Sequence, residues 1–108
     1  MRRIPPALAA EATPRILELL GDPPGDVLEL GFEGIHAEPL RLAGFGVTVV
    51  ARDQAERKSA LARAGDPVHR EVPRRWFQAV LAPEGTDLSG IRAERRFIVN
   101  ADGSVFVG

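Results

Sequence analysis

No cysteine occurs among the 108 residues, so disulfides, thiolate metal ligands and cysteine nucleophiles are excluded together. No apolar run approaches the roughly 20 residues that a membrane span needs. Neither sign of charge dominates: 14 Lys and Arg stand against 15 Asp and Glu, a net charge of −1. That balance removes the broad electrostatic attraction on which nucleic-acid and anionic-membrane binders rely. Tyrosine is absent, and amides are scarce, with Asn100 accompanied only by Gln54 and Gln78. Lys58 is the single lysine. Low amide content fits a thermophilic protein, and the preference for arginine follows genome composition equally well.

What is present is the composition of an ordinary globular protein, 44% hydrophobic and 27% charged, in a length that suits one domain over residues 1–108. Such a chain buries roughly 65% of the surface its extended form exposes. The first residues, MRRIPPALAAEATPRILELL, begin basic as a signal peptide does. Pro5, Pro6, Glu11 and Pro14 interrupt any apolar segment, and the expected location is cytoplasmic.

Thr13-Pro14 is a helix start, with Ile16, Leu17, Leu19 and Leu20 as its apolar face and Gly21 as its stop. The segment before Thr13 reads as a short separate turn, and DPPGD at 22–26 as a rigid loop. Val27 to Leu30 is a short apolar strand of the kind covered on both faces. A short helix over Ala37 to Ala43 tolerates Pro39 only in its first turn. VTVVA, 47–51, is the clearest strand. Asp53 and Glu56 form a capping box for a helix that runs to Ala64 and ends at Gly65. Alternation at Val68, Arg70 and Val72 gives a short strand, WFQAVLA (76–82) a buried one, and the two apolar runs around Asn100-Ala101-Asp102-Gly103 a hairpin. The expected fold is α/β: a small, truncated Rossmann-like, mainly parallel sheet flanked by helices, with a C-terminal antiparallel hairpin.

The stretch LELGFEG, 28–34, sits where strand, glycine loop and helix meet. There backbone amides and a helix N-terminus can receive an anionic or ribose-bearing ligand. GDVLELGFEGIHAEPLRLAGFGVTVVARD resembles the first strand-helix-strand of class I S-adenosylmethionine-dependent methyltransferases, in which V-L-D/E-L-G-x-G-x-G precedes a helix and a strand ending in an acid. Glu29, Leu30 and Gly31 follow that pattern. Glu33 and Ile35 then occupy the positions of the second and third glycines, and Gly34 falls out of register. Ala51 stands where the ribose-binding acid belongs, with Asp53 two residues later, and Gln78 replaces the aspartate of the family's F-D-x-V strand. The resemblance spans about residues 14–83. It implies an S-adenosylmethionine-type cofactor site at Glu29, Gly31, Gly34 and Asp53. The further strands and substrate region of a full enzyme are not expected in 108 residues.

Val50-Ala51-Arg52-Asp53 is also similar to NADP-dependent short-chain dehydrogenases, where an arginine after the second strand pairs with a 2′-phosphate. Without tyrosine, that family's Tyr-x-x-x-Lys pair is impossible here. Gly31 and Gly34 admit two readings, ligand contact or strand-to-helix turn, and Asp53 reads first as a helix cap. His36 reads as a polar cap without a catalytic partner, His69 as a surface residue, Trp76 and Phe77 as a core aromatic pair behind solvated Arg74 and Arg75. Arg95-Arg96 carries the same choice between a solvated pair and a nucleic-acid contact. No metal-ligand spacing and no catalytic set stand out. The functional expectation is a non-catalytic methyltransferase-like module for binding or protein interaction, homodimeric through its final strand. The alternative is a small enzyme or enzyme subunit that keeps the adenosine-cofactor site.

Overall fold

Among the residues described by the computed structural model, 6–65 and 67–108, four helices and six strands follow one another. They are α1 (Pro6–Glu11), α2 (Thr13–Leu20), β1 (Asp26–Leu30), α3 (Ala37–Leu42), β2 (Gly46–Val50), α4 (Gln54–Ala64), β3 (Val68–His69), β4 (Phe77–Pro83), β5 (Ala93–Val99) and β6 (Val105–Val107). The strands form one sheet in the order β3-β2-β1-β4-β5-β6. All neighbouring pairs are parallel except β5-β6, which is antiparallel. The α/β fold with a mainly parallel sheet, flanking helices and a C-terminal hairpin is therefore as the sequence indicates. The basic first residues lie outside the described residues.

Three local readings need correction. The segment before Thr13 is a helix, α1, rather than a turn. β3 stops at His69, because its partner β2 ends at Val50, the residue in register with it. Trp76 is 59% exposed while Phe77 is fully buried, so the two aromatics do not form a core pair.

Handedness explains how the two faces are covered. β1-α3-β2 and β2-α4-β3 step in one direction along the sheet, whereas the connections to β4 and β5 step back, and right-handed crossovers on either side of such a reversal fall on opposite faces. On the first face, Ala9, Ala12, Ile16, Leu20 and Leu40 from the helical segments pack with Val27, Ala79, Leu81, Phe97 and Val99. Ala37 and Ala60 close over Val49, Ala51 and Val68 beside them. On the second face, Leu28, Leu30, Val50, Val80 and Ala82 are met by Ile91, with Val72 and Leu88 partly buried against them, and no helix residue takes part. The connections there, 70–76 and 84–92, carry Pro73, Gly85 and Gly90, which suit turns and not helices.

Candidate functional site

Side chains alternate along a strand, so Val27 and Glu29 face the helices. Glu29 lies in register between Val49 of β2 and Leu81 of β4, near the ends of the parallel strands, and is 1% exposed. Burial raises its pKa from 4.5 to about 7, against the backbone amides of Gly34 and His36 and the more distant charges of Arg41 and Arg63, which favour the ionised form. Those amides lie outside hydrogen-bonding geometry, so both carboxyl oxygens are buried without a partner.

Residues 31–36 cover this carboxyl. The strand order reverses between β1 and β4, the place where open α/β sheets usually leave a ligand crevice beyond the strand ends. Here it is occupied by the chain itself. Gly31 has φ 75° and lies against Pro83 at the end of β4, and a Cβ on it would come 2.9 Å from Pro83 Cδ. Phe32 turns inward to 3% exposure and joins the first-face core, with Ile35 packed beside it. Glu33 adopts φ 56° and pairs with Arg63 at 3.3 Å. Gly34, at φ 81°, rests on α4, where a Cβ would meet Ala64 Cβ at 3.0 Å and the Ala60 carbonyl at 3.4 Å. The missing side chains at Gly31 and Gly34 thus admit protein rather than leave open space.

His36 occupies the N-cap position of α3 but makes no cap hydrogen bond. It is fully buried, its Nδ1 lies 2.6 Å from Thr13 Oγ1, and its ring meets Phe32 edge-on at 4.7 Å. Nε2 has no partner, and burial lowers the pKa from 6.5 to about 4. The polar-cap reading of His36 is therefore replaced by a neutral core imidazole. Thr13 likewise serves His36 rather than capping α2, whose N-cap is Ala12.

Of the four residues that the methyltransferase resemblance implies, Glu29, Gly31 and Gly34 belong to one packed turn, with Glu29 beneath it. Asp53 caps α4, accepting the Glu56 amide at 2.8 Å. Gly34 touches the same helix at Ala60 and Ala64, roughly 10 to 16 Å further along its axis at about 1.5 Å per residue. An apolar groove of about 720 Å³ borders Gly34 between Ala7, Ala10, Pro39 and Leu42. Among the described residues no three His, Asp or Glu side chains gather as a metal would require. No helix there is long and apolar enough to cross a membrane.

The second face carries what sequence reasoning did not assemble. Arg52, Arg70, Arg74, Arg75 and Arg92 line a cleft of about 780 Å³, opposed by Glu71 and Asp87. Only the Arg74-Arg75 pair is adjacent in sequence. The other three come from the ends of β2 and β3 and from the loop before β5, so the only local signal is arginine bias. Comparison with family models, with curated proteins and with solved structures returns no match to this chain.

Proposed function

We propose that this chain is a non-catalytic, methyltransferase-like module of the cytoplasm that works by protein interaction, assembling as a homodimer through β6. One observation carries the reading. β6 is an outer strand whose Phe106 is 61% and Val107 39% exposed, and an uncovered strand with apolar side chains is a template for pairing. The opposite edge is treated differently, since Arg57 Nη1 donates to the Val68 carbonyl of β3. Among the described residues no side-chain hydrogen bond reaches the backbone of Val105–Val107. Occupation of the switch-point crevice by Pro83 and Phe32 supports the non-catalytic half of the reading. Light scattering coupled to sizing at low micromolar concentration is the test. A dimer that Phe106→Asp converts to monomer supports the proposal, and a wild-type monomer overturns it.

A second reading keeps an S-adenosylmethionine-type site around Glu29, Gly31, Gly34 and Asp53. The groove beside Gly34 favours it, being apolar and within the size range of small-ligand sites. S-adenosylhomocysteine would then raise the melting midpoint with the logarithm of its concentration, and a flat response removes this reading while leaving the first intact.

A further inference from the structure

Five guanidinium groups converge on one concave surface of a chain whose net charge is −1. Arg75 has structural work: it donates to Asp26 at 3.1 Å and to Thr48 at 2.9 Å, and lies 4.4 Å above the Phe77 ring. The guanidinium groups of Arg52, Arg70, Arg74 and Arg92 make no ion pair or hydrogen bond among the described residues. The two acids of the lining, Glu71 and Asp87, offset only two of the five positive charges and leave the hollow net basic. Asp87 is engaged first by Ser89, whose amide it accepts at 2.9 Å, and only weakly by the charge of Arg52. Like charges gathered in a hollow with low-dielectric walls focus a positive potential outward.

The walls are positioned by more than charge. Val72 and Ile91 line the cleft and also belong to the second-face core, so its base is apolar and tied to the sheet while its rim is basic. Arg75 pins loop 70–76 to β1 and β2, and the Asp87-Ser89 turn shapes the loop opposite. A volume of about 780 Å³ lies within the range for one small ligand, and planar guanidinium forks match phosphate oxygens two at a time.

We infer that the cleft between loops 70–76 and 84–92 is a binding site for a small, multiply charged phosphate-bearing molecule, held by Arg52, Arg70, Arg74 and Arg92. The phosphates sit on the arginine rim and any apolar body of the ligand lies on Val72 and Ile91. This site is on the face opposite the glycine loop and does not depend on dimerisation through β6.

The chain supplies its own reporter. Trp76 is the only tryptophan, is 59% exposed and follows Arg75 directly. Its fluorescence is titrated with inorganic tripolyphosphate and with ATP in the presence of a chelator, at constant ionic strength. Saturable binding of tripolyphosphate is expected, with ATP at least as tight, and Arg74→Gln/Arg92→Gln is expected to weaken both by about tenfold or more. The exposed side chains of that variant leave the fold intact, which an unchanged melting curve verifies. Absence of saturation at about 1 mM of either probe overturns the inference, as does undiminished affinity in the double variant. A single strand of about 12 nucleotides that binds more tightly per phosphate, with a salt dependence that grows with length, overturns it in favour of a nucleic-acid surface.

Discussion

The two faces of the sheet handle polar chemistry in opposite ways. Beneath the helices, Glu29 and His36 are sealed into an apolar core with three polar atoms lacking partners. Beneath the loops, arginines stand around an open cleft with an apolar base. Strong perturbation of a titratable group often marks a functional site. On the helical face the perturbation follows from burial, and Gly31 and Gly34 of the turn above it pack on Pro83 and α4. On the loop face the informative feature is access: five arginines meet in one hollow with only two acids in its lining.

The largest expected effect tests the sealed face. Glu29 has a folded pKa of about 7 against 4.5 unfolded, so the unfolded chain releases its proton first. Its favourable contribution is complete below pH 4.5 and is lost as the pH rises towards 7. His36, lowered from 6.5 to about 4, acts in the reverse sense. Its contribution is complete above pH 6.5 and is lost as the pH falls through 4. In wild type the two trends oppose each other over the shared range. Glu29→Gln is expected to be more stable than wild type by about 3 kcal/mol at pH 8 and nearly equal to it at pH 4. Its remaining stability should climb with pH, while His36→Gln should uncover the opposite slope. Urea denaturation across that range measures both. Stability differences that stay constant with pH would mean that neither group is desolvated, and the contrast between the faces would fail at its strongest point.

A smaller effect tests whether the glycine loop is packed or open. Gly34→Ala combines a left-handed backbone with a 3.0 Å approach to Ala64 Cβ, and is expected to cost about 2 to 3 kcal/mol. Gly65→Ala separates the two causes, since Gly65 has φ 72° but nothing within 4 Å of an added Cβ. It should cost only about 1 kcal/mol. Equal costs would mean that the loop yields freely to a methyl group, as an open ligand loop would.

Much of the fold was legible because local rules and tertiary packing agree. The β-branched run at 47–50, the Asp53 cap and the turn at Gly103 each determine an element without help from distant residues. The site was less legible for identifiable reasons. LELGFEG carries the local signature of a cofactor loop, but whether its glycines admit a ligand or a neighbour depends on Pro83 and Ala64, which are 52 and 30 residues from Gly31 and Gly34. His36 read as a cap because position suggested it, and only the approach of Thr13 from another helix shows it buried. Trp76 read as core because Phe77 is, but pairing with β5 begins only at Phe77, opposite Ala93, and leaves Trp76 outside the strand. The cleft was hidden in the strand order, since the reversal at β1 and β4 sends both later connections to the face where Arg52 and Arg70 emerge.

The smallest expected effects divide the arginines of the loop face among themselves. Arg75→Gln loses the contacts to Asp26, Thr48 and the Phe77 ring. The Arg75-Asp26 side chains are 45% and 59% exposed, so solvent screens that pair and the whole substitution should cost about 1 kcal/mol. Arg70→Gln, Arg74→Gln and Arg92→Gln remove no guanidinium hydrogen bond or ion pair among the described residues, and each should change stability by less than about 0.5 kcal/mol. Slight stabilisation is the more informative result, because relieving mutual repulsion around the cleft predicts that sign for any one of the three. A cost equal to that of Arg75 would instead assign these arginines to holding the loops, and the cleft would then be scaffold on both its base and its rim.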